Sequence, residues 1–238
     1  VHTLFFPDLA RDGDSLVIEG EEARHAVRVK RLGAGDALRL LDGRGGVAEC
    51  RVVEAGRALH VRVEERRAVE PVSPRVEVWS ATPKGARVDV MIDALTQVGA
   101  ASWTPMATTR GVVEPGEAKL HRLERIIIEA CKQSNRPWLM RMGGGGGRRT
   151  FEEAIDLGES GVEELVVADG GGGPYGRGRG VKGVRLLIGP EGGFTAEEME
   201  AARLAGARVV SLGPHTMRVE VAAVVGAALI IEAHRDAG

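Results

Sequence analysis

Apolar and polar residues alternate with period two through DSLVIEG (14–20), DALRLLDG (36–43), GVAECRVVEAG (46–56) and ALHVRVEERR (58–67), each run bounded by Gly or Asp turn signals. Successive side chains of a strand point to opposite faces, so this period predicts a small unit built of half-buried strands. One interruption, EEARHAVRVKRLGAGD (21–36), places Arg24, Arg28 and Arg31 at i, i+4 and i+7, the spacing of one helix face. A helix there carries a basic stripe, readable either as a solvated face or as a nucleic-acid contact. AVEPVSPR (68–75), with two prolines, reads as a linker.

Beyond the linker the units lengthen and alternate between strand and helix. VEVWSA (76–81) reads as a strand, and RVDVMIDALTQVGA (87–100) as a helix whose Val88, Met91, Ile92, Leu95 and Val98 share one face. LHRLERIIIEACKQ (120–133) reads as a second helix. ELVVAD (164–169), VRLLI (184–188) and ARVVSLG (207–213) are strand-like. TAEEMEAARLAGA (195–207) opens with a capping box of Thr195 and Glu198 and ends at Gly206. VEVAAVVGAALIIEA (219–233) is apolar nearly all round, which predicts a helix buried in its own domain or against a second subunit. Alternating strands and helices argue for a parallel α/β sheet, whose carboxyl edge is the usual place for a ligand crevice. Three strand ends, VVAD, LLIGPEGG and VVSLGPHTMR, would offer their loops there.

Composition narrows this picture a little. A chain of 238 residues fits one large or two modest domains, at roughly 100–200 residues each. The formal charge of -2 gives no global attraction to nucleic acid, so any such surface must be a local patch of Lys and Arg. Cys50 and Cys131 form no CxxC or even-numbered framework, which suits a reducing cytoplasm. VHTLFFPDLA is broken too early by Pro7 and Asp8 for a secretory signal, and no apolar run is long and uncharged enough to span a bilayer. The expectation is a cytoplasmic protein without a membrane partner. GGGGG, DGGGG and GRGRG, between 143 and 180, lack a phosphate-binding frame and read as permissive loops.

IGPEGGF (188–194) carries the sharpest chemical signal. Glycines between a strand and a helix usually favour phosphate, but Glu191 puts a carboxylate into that cradle, which argues against a polyphosphate. Exposed backbone groups can read an adenine edge, and a carboxylate can accept from ribose hydroxyls, an ammonium or a cationic centre. S-adenosylmethionine has all of these features. The competing reading is that Glu191 caps the helix that follows, as an acid there does in any protein. No HExxH or Cys/His cluster suggests a metal.

IGPEGGFTAEE followed by VSLGPHTMRVEVA resembles the C-terminal signature of the RsmE family of ribosomal RNA methyltransferases, within the SPOUT superfamily. HAVRVKRLGAGDALRLLDGRG, TPKGARVDVMIDALTQVGA, TTRGVVEP and EACKQSNR resemble further motifs, so that the likeness covers nearly the whole chain. The resemblance implies a PUA-like β-barrel RNA-binding domain (1–70) and a SPOUT α/β domain (74–238) with a C-terminal trefoil knot. It also implies a homodimer that uses S-adenosylmethionine to methylate N3 of one uridine in 16S ribosomal RNA, in an assembled or partly assembled small subunit. The cofactor residues it implies are Ala168, Asp169, Ile188, Gly189, Pro190, Glu191, Gly192, Gly193, Leu212, Gly213, Met217 and Arg218. RNA would be met by Arg24, Arg28 and Arg31, and by Arg110, Gln133, Ser134 and Arg136. Val221, Ala94 and Gln97 depart from the family pattern, which usually has threonine, lysine and glutamate there.

The chemistry sets its own demands. Uridine N3 normally carries a proton and is hidden in base pairing, so its methylation needs an unpaired base, loss of that proton and an aligned methyl donor. Deprotonation leaves negative charge on the ring, which a fixed guanidinium stabilises. Arg218, beside the cofactor loop, or Arg136, from the same or the other subunit, is the candidate; His215 is the only histidine in that loop. Two other classes stay open at this point: a non-catalytic RNA-binding ribosome assembly factor, and a nucleotide-dependent enzyme of ordinary doubly wound topology.

Overall fold

The computed structural model describes residues 1–9, 13–111, 117–176 and 180–235. The chain divides into two compact units, Val1–Pro71 with Ile128–Leu139, and Val72–Ile127 with Met140–Gly238.

The first unit contains β1 (His2–Phe5), β2 (Ser15–Ile18), α1 (Gly20–Arg28), β3 (Ala37–Leu41), β4 (Gly46–Ala55) and β5 (Leu59–Ala68). The strands form a mixed sheet in the order β1-β3-β4-β5-β2, with β1 parallel to β3 and the other pairs antiparallel. Val52, Leu59 and Val61 alternate with exposed residues along their strands and fill the core with Leu4, Ala26, Leu38 and Leu40. The period-two reading found β2 to β5 but not β1, whose HTLF offers too short a pattern.

The expected basic stripe is not one helical face. α1 ends at Arg28, and Arg31 takes a left-handed φ of 57°. Leu32 enters the core and its N–H donates to the Ala26 carbonyl at 3.1 Å. The chain leaves the helix at Arg31, a left-handed position where glycine is usual, and the Leu32 bond reaches six residues back. Burial of Leu32 therefore overrides the helical spacing.

Residues 128–139 are stitched into this unit. Gly45 N–H donates to the Pro137 carbonyl (2.9 Å), Leu139 N–H to that of Gly43 (3.0 Å), and Trp138 Nε1 to that of Val69 (2.7 Å). Gly45 has a φ of 98°, and a Cβ there would lie 2.7 Å from the Trp138 ring, so both conformation and space demand glycine. Lys132 Nζ donates to Glu22 and Glu129, each at 2.8 Å.

The second unit contains β6 (Arg75–Ser80), α2 (Arg87–Val98), β7 (Ser102–Pro105), the start of α3 (Glu117–Ser134), β8 (Arg141–Met142), α4 (Phe151–Ile155), β9 (Glu164–Pro174), β10 (Gly183–Ile188), α5 (Ala196–Leu204), β11 (Arg208–Ser211) and α6 (Val219–His234). Its sheet runs β11-β9-β10-β6-β7-β8 with every pair parallel, as the alternation of strand and helix predicts. β10 is buried along its whole length and α6 packs on it.

DGGGG is not a loop but part of β9. Its pairing with β11 jumps from Val167↔Val209 to Gly173↔Val210, so residues 168–172 bulge out of the ladder between two paired stretches. A Cβ on Gly172 would lie 2.6 Å from the Val210 backbone, and only glycine permits that approach. The GRGRG stretch falls partly outside the described residues.

Candidate functional site

The order β11-β9-β10 puts three neighbouring strand ends together on the carboxyl edge of the parallel sheet. Between them lies a cavity of about 510 Å³, formed by residues 168–170, 188–194 and 211–217 with Val219 and Ala222 of α6. Every residue singled out around IGPEGG, SLG and VAD lines it, and so does Met217. Arg218 stands between two lining residues as the N-cap of α6, its side chain exposed and its carbonyl accepting from Val221 and Ala222 N–H.

The glycine loop is built as a turn with a floor. Gly193 N–H donates to the Pro190 carbonyl at 2.8 Å, and Gly193 takes a φ of 69°. Gly189 lies on the Phe194 ring, which would be 3.1 Å from a Cβ there, and that ring meets Phe151 of α4 at a centroid distance of 5.4 Å. Ala81 N–H holds the Ile188 carbonyl at 3.0 Å, and Asp169 accepts Gly171 N–H at 2.8 Å.

Glu191 does not cap the next helix. Thr195 and Glu198 make the complete capping box of α5, as the sequence predicts, and leave Glu191 on the cavity wall with 54% of its side chain exposed. Arg87, the first residue of α2, approaches it at 3.8 Å and Glu220 of α6 at 3.6 Å. Among the described residues no lysine or arginine lines the cavity and His215 is its one ring nitrogen base, so the wall offers carboxylate, carbonyl and N–H groups with apolar patches at Ile188, Leu212 and Met217. Such a wall suits a cationic, nucleoside-like molecule and repels a polyphosphate. The volume falls within the range of roughly 300–1,000 Å³ common for small-molecule sites.

Arg110 is tied to this loop. Its Nη1 donates to the carbonyls of Gly192 at 2.5 Å and Phe194 at 3.4 Å. The VVEP part of TTRGVVEP lies outside the described residues. Gln133, Ser134 and Arg136 belong to the first unit, with Gln133 exposed and Ser134 bonded back to the Ala130 carbonyl at 2.7 Å. Burial holds the Arg136 guanidinium below its usual pKa range. Arg24, paired with Glu21, is exposed, as are Arg28 and Arg31. Gln97 donates to Asp93 one turn back at 2.7 Å.

Sequence reasoning missed Arg87, Thr109 and Phe194 as parts of the site, and it saw Glu198 only as a cap. No local spacing signals the contacts these side chains make across the fold. Among the described residues no group of three or more His, Cys, Asp or Glu side chains converges as for a metal ion, and no helix is long and apolar enough to cross a membrane.

Comparisons with known proteins place the chain among relatives. Residues 70–231 match the family model described as an RNA methyltransferase domain, and residues 18–64 match an RNA methyltransferase PUA domain. Ribosomal RNA small subunit methyltransferase E of Mycobacterium bovis is 33% identical, over 100% of this chain and 95% of its own. The protein of that name from Synechocystis is 31% identical over 85% of this chain and 68% of its own. Among solved structures, a "probable rRNA-methyltransferase" of Porphyromonas gingivalis superposes with a TM-score of 0.82 at 29% identity, over 98% of both chains. The Neisseria gonorrhoeae ribosomal RNA small subunit methyltransferase E, bound to S-adenosyl methionine, shares the fold with a TM-score of 0.82 at 23% identity over 95% of both chains.

Proposed function

We propose a function from the premise that this chain belongs to the RsmE family of ribosomal RNA small subunit methyltransferases: it transfers a methyl group from S-adenosylmethionine to small-subunit (16S) ribosomal RNA. The single observation that carries the reading is the cavity lined by Glu191, Asp169 and the glycine turn, with no lysine or arginine among its described lining residues. Bound there, S-adenosylmethionine would supply the electrophilic methyl. The backbone groups of 188–193 and 211–213 would read its adenine and ribose, and Glu191 and Asp169 would face its positive charges.

The target atom, N3 of a uridine, comes from the family resemblance. The chain's own contribution to that reaction would be placement and charge. Arg218, exposed at the N-cap of α6 beside the lining residue Met217, is suited to steady the uracil anion once N3 loses its proton. Arg136 is the alternative for that role. Arg24, Arg28 and Arg31 would meet RNA phosphates from the PUA-like part, and Gln133 and Ser134 would join them. Arg110, exposed beside the loop, would meet RNA there. The same reading takes residues 1–70, joined in the structure by 128–139, as the RNA-binding domain and the remainder of 74–238 as the catalytic domain, with a trefoil knot at its C-terminal end. It takes the working form as a cytoplasmic homodimer acting on an assembled or partly assembled small subunit.

The test is calorimetric titration of the full chain with S-adenosylmethionine and S-adenosylhomocysteine, alongside Glu191→Ala and Gly192→Val. Binding by the native protein that both variants lose is the expected result. A folded native protein that binds neither molecule would overturn the cofactor assignment and favour a non-catalytic RNA-binding role.

A further inference from the structure

We propose that Arg110 and Glu198 are positioning residues that latch the cofactor loop to the segment after β7, and so set the affinity for S-adenosylmethionine. The inference rests on reading the 188–194 cavity as the site of that molecule.

Two capping boxes of the same composition make the case. In α4, Thr150 and Glu153 satisfy each other's backbone N–H, and Glu153 stays on the surface beside Arg149. In α5, Thr195 and Glu198 do the same, but Glu198 is only 8% exposed. Capping does not require that burial, and a buried carboxylate is costly without donors. Glu198 finds them 89 residues away: Oε1 accepts from Thr109 N–H at 2.8 Å and from Thr109 Oγ1 at 3.1 Å, while Oε2 accepts Thr195 N–H at 2.8 Å. The next residue, Arg110, returns the contact by donating to the carbonyls of Gly192 and Phe194.

The exchange fixes residues 192–198 at both ends. Arg110 lies over the glycine turn so closely that a Cβ on Gly192 would stand 3.3 Å from its Cδ, and the Phe194 ring supports Gly189 from the other end of the turn. A turn with Gly189, Gly192 and Gly193 loses much backbone freedom when ordered. Apparent affinity falls in proportion to the fraction of molecules whose loop is competent to bind. The latch raises that fraction without contributing a group to the cavity wall.

The experiment compares full-length native protein with Arg110→Ala, Arg110→Lys, Glu198→Gln and Glu153→Gln. Each is titrated with S-adenosylmethionine and melted thermally, and the KM for S-adenosylmethionine and kcat are measured on small-subunit RNA. The expected result is a Kd raised at least about tenfold in Arg110→Ala, as for loss of a charge-assisted hydrogen bond, with partial recovery in Arg110→Lys. Glu198→Gln weakens binding several-fold and raises KM while kcat at saturation is kept, and Glu153→Gln leaves binding unchanged. Native-like binding by Arg110→Ala overturns the latch while leaving the site in place. Equal losses in Glu153→Gln and Glu198→Gln overturn it as well, by tracing the effect to helix capping. A native protein that binds no S-adenosylmethionine overturns the cavity assignment and the latch with it.

Discussion

Gly226 of α6 faces Leu186 of β10 with no room for a methyl group between them: a Cβ on the glycine would lie 2.7 Å from Leu186 Cδ2 and 3.3 Å from Leu212 Cδ1. Leu212 is also a wall of the cavity. A larger residue at 226 pushes on the core and on the wall together. Gly226→Val should cost about 1–3 kcal/mol in urea unfolding, the usual range for overpacking, and should weaken S-adenosylmethionine binding in the same protein. Unchanged unfolding and binding would show that the helix yields freely.

Arg185 sits buried in β10, where Nε donates to Glu77 at 3.2 Å and Nη1 to the Asp156 carbonyl at 2.8 Å, with its guanidinium 4.6 Å from the Trp79 ring centroid. Arg185→Met should destabilise by about 1–3 kcal/mol, because it strands the carbonyls that end α4 and leaves the Glu77 carboxylate to Arg75 alone, at 2.9 Å. Adding Glu77→Leu should cost less than the sum of the two single changes. A loss below about 1 kcal/mol in Arg185→Met would rule out this role for the buried pair.

Burial, the largest influence, pushes the Cys50 thiol from 9.0 up to about 11, partly offset by the charge of Arg66. A folded-state pKa above the unfolded one means that the folded chain holds the proton more tightly. The stability this gives is complete below pH 9 and is lost as pH rises through 11. The melting temperature should therefore fall across that window, and less steeply in Cys50→Ala. Parallel pH profiles for the two proteins would deny the thiol this part.

Arg218→Ala should lower kcat for RNA methylation about 100-fold to 1,000-fold, as for a lost anion-stabilising donor, with the Kd for S-adenosylmethionine nearly unchanged. Incorporation of labelled methyl into small-subunit RNA measures it. Full turnover in this variant would transfer the role to Arg136.

The sequence was most informative where one local rule governs the outcome. Strand periodicity located β2 to β5, the capping box of Thr195 and Glu198 marked the start of α5, and the glycines around Glu191 marked the cavity wall. Local rules failed where a distant contact decides. Arg31 leaves the helical face because Leu32 is drawn into the core, and DGGGG stays in β9 because its pairing with β11 resumes at Gly173. The bonds of Thr109 to Glu198 and of Arg110 to Gly192 join residues more than eighty positions apart, which no periodicity encodes.

The stitching of residues 128–139 into the first unit also sets a timetable for synthesis. Domains generally fold as units while the chain emerges, the N-terminal one first. Here Gly43, Gly45 and Val69 wait for Leu139, Pro137 and Trp138, which are made only after residues 72–127 of the other unit. The first unit is begun before the second, yet it closes only when residues 72–127 of the second have been made.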